Sequence, residues 1–464
     1  VALATPVDRQ REVVYLGGVG HNVVLGTAGS GKTSMAILRA AYLSDPRRPD
    51  HGRTLLITFN KTLGTYIRHI AKDVLDRVKV ENFHLFARGY LASRGLLPDG
   101  WLLQPHRRQT FVLAAMAQVK ALGSGDALLS RPVGFFEDEI EWIARHGIST
   151  LAEYDATPRT GRAEARMLKS QRPVMWQVYE AYLALRAAQG FQYDLDDIAG
   201  AVAAAFDVDT NTRLYKHVIV DEGQDLSPIM LRALAKAVPA GGSLTFFGDI
   251  AQQIYGHRMS WRSAGLRPAK IWNFEENYRN TKEIADLALA ISRMPYYAEA
   301  ADLVSPRQPT AAGPKPTLIC FQDEDAETDF VVRRAAALGQ GRSVAVLART
   351  KELATRIASR LPGPVQRLTR DLGAWSSNPG VSTGTLHSGK GLEFDAVIMP
   401  FLSDARFPNP IAVEADGLEE ASAGDGRLLY VGVTRARSEL ILTHTGEPTR
   451  LLPPEPSLYT KVTR

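Results

Sequence analysis

Cysteine is almost missing from this chain. Cys320 is the single one in 464 residues, which excludes an internal disulfide, a cysteine-ligated zinc site and an iron–sulfur cluster. So little thiol suits a reducing compartment, and a cytoplasmic location is expected. Long apolar runs are missing too. No stretch of about 18 apolar residues occurs, so no segment is expected to span a membrane. Residues Val1 to Thr5 show no basic region before an apolar core, so no leader peptide is expected. The first residue is not Met, as expected of a chain that is trimmed or cut from something longer. A strong excess of one charge is also lacking. The net charge of +5 permits a polyanionic partner without demanding one. A hydrophobic fraction of 45% is ordinary for a globular protein. The length allows about three domains.

What is present is organised around Gly26-Thr27-Ala28-Gly29-Ser30-Gly31-Lys32-Thr33. This G-x-x-x-x-G-K-T follows the apolar run Val23-Val24-Leu25 and precedes a helical pattern from Met35 to Ala40. A strand, a glycine-rich turn and a helix start are the context a phosphate-binding loop needs. Glycines let backbone N–H groups turn toward phosphate oxygens, and the helix N-terminus adds partial positive charge. Lys32 is placed to reach the β- and γ-phosphates of ATP, and the Thr33 hydroxyl to hold Mg²⁺. Downstream, the strand Val218-Ile219-Val220 runs into Asp221-Glu222-Gly223-Gln224-Asp225. Behind a phosphate loop, Asp221 suits the Mg²⁺ shell and Glu222 suits the water that attacks the γ-phosphate.

Around these motifs, strands alternate with helices. Residues 54–60 and 78–83 read as strands of a parallel sheet, ending in Phe59-Asn60 and Phe83-His84. An aromatic beside a polar group at a strand end suits base stacking and phosphate bonding, and an aromatic packed in the core is the alternative. Residues 85–189 read as an inserted helical domain, with loops such as Pro105-His106-Arg107-Arg108. A further strand covers 244–249, and a second strand–helix alternation fills the C-terminal half without a phosphate loop of its own. Its polar signals include Arg279, His387, Lys390, Glu393 and Arg435. Residues 411–426 are rich in acid, glycine and serine and read as a mobile loop. Gln10, on a short helix starting at Asp8, is by position a solvated polar residue.

Taken in order, the motifs resemble those of the UvrD/Rep/PcrA group of superfamily 1 DNA helicases, from residue 10 to about 443. GTAGSGKT resembles motif I, and DEGQD (221–225) motif II. GDIAQQIYG (248–256) resembles motif III, and ENYRNTKEI (276–284) motif IV. TLHSGKGLEFDAVI (385–398) resembles motif V, and LLYVGVTRAR (428–437) motif VI. TFNK (58–61) and NFHLF (82–86) resemble DNA-contacting motifs, and YDLDD (193–197) the return from the inserted domain. The resemblance implies an α/β fold with two RecA-like parallel-sheet domains. Domain 1A would comprise 1–84 and 190–275, helical domain 1B residues 85–189, and domain 2A residues 276–464. Too few residues lie between Arg349 and motif V for the family's 2B domain, so 2B is expected to be absent or a stub.

By the same resemblance, Gln10 reads adenine, Tyr278 lies near it, and Glu393 lies near the sugar. Gln252 links the γ-phosphate to the DNA site. Arg279 and Arg435 reach the γ-phosphate across the cleft. Phe59, Asn60, Phe83, His84, Tyr255 and His387 fall in or beside DNA-contact motifs. His257 holds the slot where the family has a stacking Trp, and Trp261 lies four residues on. The implied activity is ATP-driven 3′-to-5′ movement on single-stranded DNA with Mg²⁺ as cofactor. A second reading is a DNA- or nucleotide-sensing ATPase subunit of a repair or defence complex that gates a protein partner. No nuclease-type carboxylate cluster follows residue 437.

Overall fold

A computed structural model of the chain describes residues 5–27, 29–58, 61–73, 75–98, 100–123, 126–157, 159, 167–249, 261–262, 264–274, 280–297, 311–369, 372–376 and 378–464. The first unit is built on β1 (Gly20–Gly26), β2 (Thr54–Thr58), β3 (Val78–Asn82), β4 (His217–Val220), β5 (Ser243–Gly248) and β6 (Pro268–Phe274). Their order is β3-β2-β4-β5-β1-β6, and every pairing is parallel. Strands β2, β4 and β5 are buried at every residue. A parallel sheet covered on both faces needs this, and it is why these strands are so apolar in sequence. One face is covered by helices Phe83–Ser93, Ile198–Val208 and Pro228–Lys236. The other is covered by helices Lys32–Ser44 and Lys61–Ile70.

The second unit holds β7 (Thr317–Phe321), β8 (Ser343–Ala348), β9 (Val365–Arg367), β10 (Gly380–Thr385), β11 (Phe394–Met399), β12 (Ala436–Thr445) and β13 (Thr460–Thr463). The order is β13-β7-β12-β11-β8-β10-β9, again all parallel. The two-sheet α/β fold is therefore the one expected. Among the described residues, helix Lys351–Ala358, β9 and a connection lie between β8 and β10. One apolar cluster runs from Leu63 and Ile67 of the first unit to Leu386, Leu392 and Phe394 of the second. The two sheets thus share a continuous core contact.

The helical insertion packs helices Pro105–Ala121, Val133–His146 and Arg172–Ala188 around Phe136, Trp142, Tyr154, Trp176 and Tyr182. The acidic segment that leads back to β4 clamps it. Tyr182 donates to Asp194 (2.7 Å), Arg186 pairs with Asp194 (3.3 Å), and Arg108 donates to Asp196 (2.5 Å). Helix Phe83–Ser93 packs on the first sheet.

Strand β2 is described over Thr54–Thr58, and Phe59-Asn60 fall outside the described residues. Three local expectations are corrected. Strand β3 ends at Asn82, whose side chain accepts from the Leu85 N–H (3.0 Å) and caps a helix, so Phe83 and His84 open a helix. Pro105 also starts a helix, because a proline at the first helical position loses no hydrogen bond. The acidic stretch is helical as well, over Pro410–Asp416 and Leu418–Val433. Asn409 caps it by accepting from the Ile411 N–H (3.0 Å), and Asp425 turns inward to Arg349 (2.7 Å). Buried partners hold a segment that composition alone marks as loose.

Candidate active site

The phosphate loop leaves β1 at the carboxyl edge of the sheet, where parallel sheets bind ligands. Gly29 and Gly31 adopt φ of +81° and +83°, a region that side chains strain to enter. A Cβ on Gly26 would lie 2.4 Å from Ser30 Oγ, so only glycine permits this curl. Lys32 is 8% exposed and donates to the carbonyls of Gly26 (2.9 Å) and Thr27 (2.7 Å), with Asp249 at 3.7 Å. Gln10 touches the loop directly: its Nε2 donates to the Ser30 carbonyl at 3.0 Å, and its Oε1 accepts from the Val7 N–H at 3.2 Å. The reading of Gln10 as a solvated residue is thereby corrected. Ala28 lies outside the described residues.

Sequence reasoning passed over Arg39, whose side chain is fully buried. It donates to Thr245 Oγ1 (2.8 Å) and to the carbonyls of Val13 (3.2 Å), Leu16 (2.9 Å) and Gly17 (3.2 Å). It therefore pins the Gln10 helix to the phosphate-loop helix. Burial lowers its pKa to about 10. The available signal was its place two turns after Lys32, on the buried stripe with Ala36 and Ala40.

Two strands away, β4 delivers Asp221 and Glu222, both buried. Burial and the neighbouring Glu222 charge raise the Asp221 pKa to about 7, while the approach of the Thr33 hydroxyl works the other way. Among the described residues, neither carboxylate oxygen of Asp221 has a hydrogen-bond partner of regular geometry. A buried carboxylate so placed, beside a hydroxyl at a phosphate loop, fits Mg²⁺, which takes one or two carboxylates and completes its shell with water and phosphate. Glu222 differs. Burial alone would raise its pKa, but Lys390, Lys32, Arg435 and a hydrogen bond from Gln224 (2.5 Å) outweigh it and hold the group ionised. The far side of the Gln224 amide accepts from the Asp249 N–H (3.0 Å). Glu222 itself sits at φ +55°, a strained value for a non-glycine residue.

The second unit supplies two of those cations. Arg435 is fully buried and donates to the carbonyls of Val431 (2.9 Å) and Leu392 (3.4 Å). Lys390 is 1% exposed and donates to Asp225 Oδ1 at 2.5 Å. The sequence marked Lys390 as a polar signal but gave it no partner. Arg279 lies outside the described residues, but the next residue, Asn280, donates to the carbonyls of Thr434 (3.3 Å) and Ala436 (2.5 Å), either side of Arg435. Glu393 accepts from Arg437 at 3.0 and 3.2 Å. His387 is held neutral, with its pKa lowered to about 4 by burial and by the Arg349 and Lys390 charges.

The candidate DNA contacts divide. Phe83 is 2% exposed and packs among Phe86, Ala87 and Leu91, so its ring cannot meet a base and the core alternative holds for it. His84 beside it is partly exposed. Trp261 is half-buried, edge-on to Phe246 at 5.1 Å. Gln252, Tyr255, His257 and Tyr278 lie outside the described residues. Among the described residues no helix is long and apolar enough to cross a membrane.

A phosphate loop on one sheet, with its carboxylates covered by cations from a second sheet, is the arrangement of a two-lobed P-loop ATPase. Residues 7–278 match the UvrD/REP helicase N-terminal domain and residues 368–447 the UvrD-like helicase C-terminal domain. The chain belongs to this helicase family. ATP-dependent DNA helicase UvrD2 of Mycobacterium tuberculosis (strain ATCC 25618 / H37Rv) is 26% identical across 94% of this chain and 78% of its own length. DNA helicase IV of Escherichia coli (strain K12) is 23% identical across 94% of this chain and 67% of its own length. DNA helicase II of Rickettsia typhi (strain ATCC VR-144 / Wilmington) is 42% identical over a shorter stretch, 14% of this chain and 10% of its own length.

Proposed function

We propose that the chain is an ATP-dependent DNA helicase motor that moves 3′ to 5′ on single-stranded DNA, with ATP hydrolysed between its two sheets. The observation that carries this reading is the surround of Glu222, with Lys32 from its own unit and Lys390 and Arg435 from the other. Such a site is complete only when the units are together, so nucleotide state can bias their separation. Lys32 binds phosphate. Asp221 and Thr33 hold Mg²⁺, which supplies charge neutralisation at the phosphates when bound. Glu222 orients the attacking water and takes its proton. Arg435, with Arg279 by resemblance, stabilises charge on the transferring phosphoryl group. Gln10 and Glu393 orient the base and the sugar. His84, Trp261 and His387, with Phe59, Asn60, Tyr255 and His257, are proposed to line the DNA path.

The short connection between β8 and β10 favours a second reading, in which the ATPase senses DNA and acts on a protein partner. The test is ATPase rate with and without single-stranded DNA, beside unwinding of duplexes with a 3′ or a 5′ overhang. Stimulation with unwinding from the 3′ overhang is the expected result. Stimulation without unwinding selects the sensing reading, and no stimulation overturns both.

A further inference from the structure

We propose that the connection from β9 to β10 is a positioning element that ties helix Lys61–Ile70 to the second unit, so that DNA engagement on one side is felt at the nucleotide cleft on the other. The inference rests on the motor reading above. Its basis is a set of contacts across the two units that use neither the phosphate loop nor the carboxylates.

On the second-unit side the connection is anchored to its own sheet. Leu368 is 2% exposed, and its N–H donates to the Thr383 carbonyl (2.8 Å). Gln366 of β9 accepts from the Ser376 N–H (2.8 Å), and Trp375 tilts against Phe394 with ring centroids 6.4 Å apart. On the other side the same connection meets the helix. Thr62 donates to the Thr369 carbonyl (3.2 Å). Thr65 Oγ1, bonded to the Lys61 carbonyl, lies 3.4 Å from the Leu372 carbonyl. Tyr66 meets Trp375 edge to face, 5.0 Å between centroids. One turn away, Leu63 is seated on Gly391, where a Cβ would come within 2.6 Å of its Cδ2. Gly391 adjoins Lys390, which pairs with Asp225.

Helix Lys61–Ile70 therefore presents one face, Thr62, Leu63, Thr65 and Tyr66, to the second unit. Its first residue follows Phe59-Asn60 in the chain, the pair assigned to DNA contact. A rigid helix that starts at a DNA-contact segment and ends in an interlobe seam transmits displacement without any contact to nucleotide. Beside the seam, Tyr66, Trp375, Glu393 and Arg437 line an open cavity of about 770 Å³ formed mostly by the second unit. A coupling of this kind is typically worth about tenfold.

The test uses the full chain and measures ATPase with and without oligo-dT for the wild type, Tyr66→Ala, Trp375→Ala and Trp375→Phe. The expected result is an unchanged KM for ATP and DNA-free rate in the alanine variants, with stimulation by DNA reduced about tenfold. Trp375→Phe, which keeps an aromatic edge, restores most of it. Wild-type stimulation in both alanine variants overturns the inference, and so does an equal fall of both rates, which marks general structural damage. A wild type that DNA does not stimulate overturns the motor reading and this inference with it. Should the alanine variants fail to fold, the tryptophan emission of the wild type minus that of Trp375→Phe is followed. It changes on joint addition of oligo-dT and a non-hydrolysable ATP analogue if Trp375 moves with the cycle, and its constancy overturns the proposal.

Discussion

Lys32 and His387 show how much a single side chain owes to its surroundings. Lys32 is held at the mouth of the loop by two carbonyls and faces Asp249, so its ammonium is directed at the phosphate position. Lys32→Ala is expected to lower ATP turnover by about 10³-fold, the scale on which one preorganised charge acts on a transition state. Steady-state hydrolysis checks this, and near-normal turnover would remove Lys32 from the site. His387 is neutral in the fold because burial and two cations oppose its proton. The unfolded chain takes that proton near pH 6.5, the folded one only near 4. Its contribution to stability is therefore complete above pH 6.5 and is lost as pH falls toward 4. The loss is on the order of 3 kcal/mol. Urea midpoints from pH 7 to 4.5 should fall more steeply for the wild type than for His387→Gln. Parallel curves would contradict the assignment.

Among the elements, the acidic turn after β4 and the loop between β10 and β11 meet through one ion pair, Asp225 with Lys390. Both partners are buried, so removing Lys390 leaves the Asp225 carboxyl buried without its cation. Lys390→Met is expected to destabilise the closed arrangement by about 3–5 kcal/mol, while Lys390→Met with Asp225→Asn recovers most of that. Thermal melts of Lys390→Met, Asp225→Asn and the double variant measure it, and additive losses in the double variant would show that the pair is not coupled. The double variant still lacks a cation near Glu222, so its turnover should stay low although its stability returns. Elements also mark where sequence and structure part. Strands β2, β4, β5 and β8, and the second half of β1, were legible because their residues are buried on both faces, which leaves an apolar run. Strands β9 and β13 were not legible, because short edge strands have little burial to leave a pattern. The acidic helices were missed because their stability comes from Asp425 meeting Arg349 and from Leu428 and Leu429 in the core. Neither is visible in local composition.

For the whole molecule, motion depends on how two sheets with one continuous core contact separate and close. If the chain tracks a phosphate backbone, its affinity for single-stranded DNA should fall log-linearly with salt, with a slope of about −0.7 per phosphate neutralised. Fluorescence anisotropy with labelled oligo-dT across a salt series measures the slope, and a flat response would sink a backbone-tracking groove. The phosphate loop, the carboxylate pair and the two-sheet α/β class are readable from residue order alone. These depend on short-range rules: glycines at a turn, a helix start, apolar runs between polar ends. That Phe83 lies in the core, that Arg39 pins the Gln10 helix, that Lys390 reaches Asp225 from the far unit and that Trp375 meets Tyr66 emerge from the folded chain. Each of these joins residues far apart in the chain, and burial and charge pairing over that distance exist only once both sheets are in place.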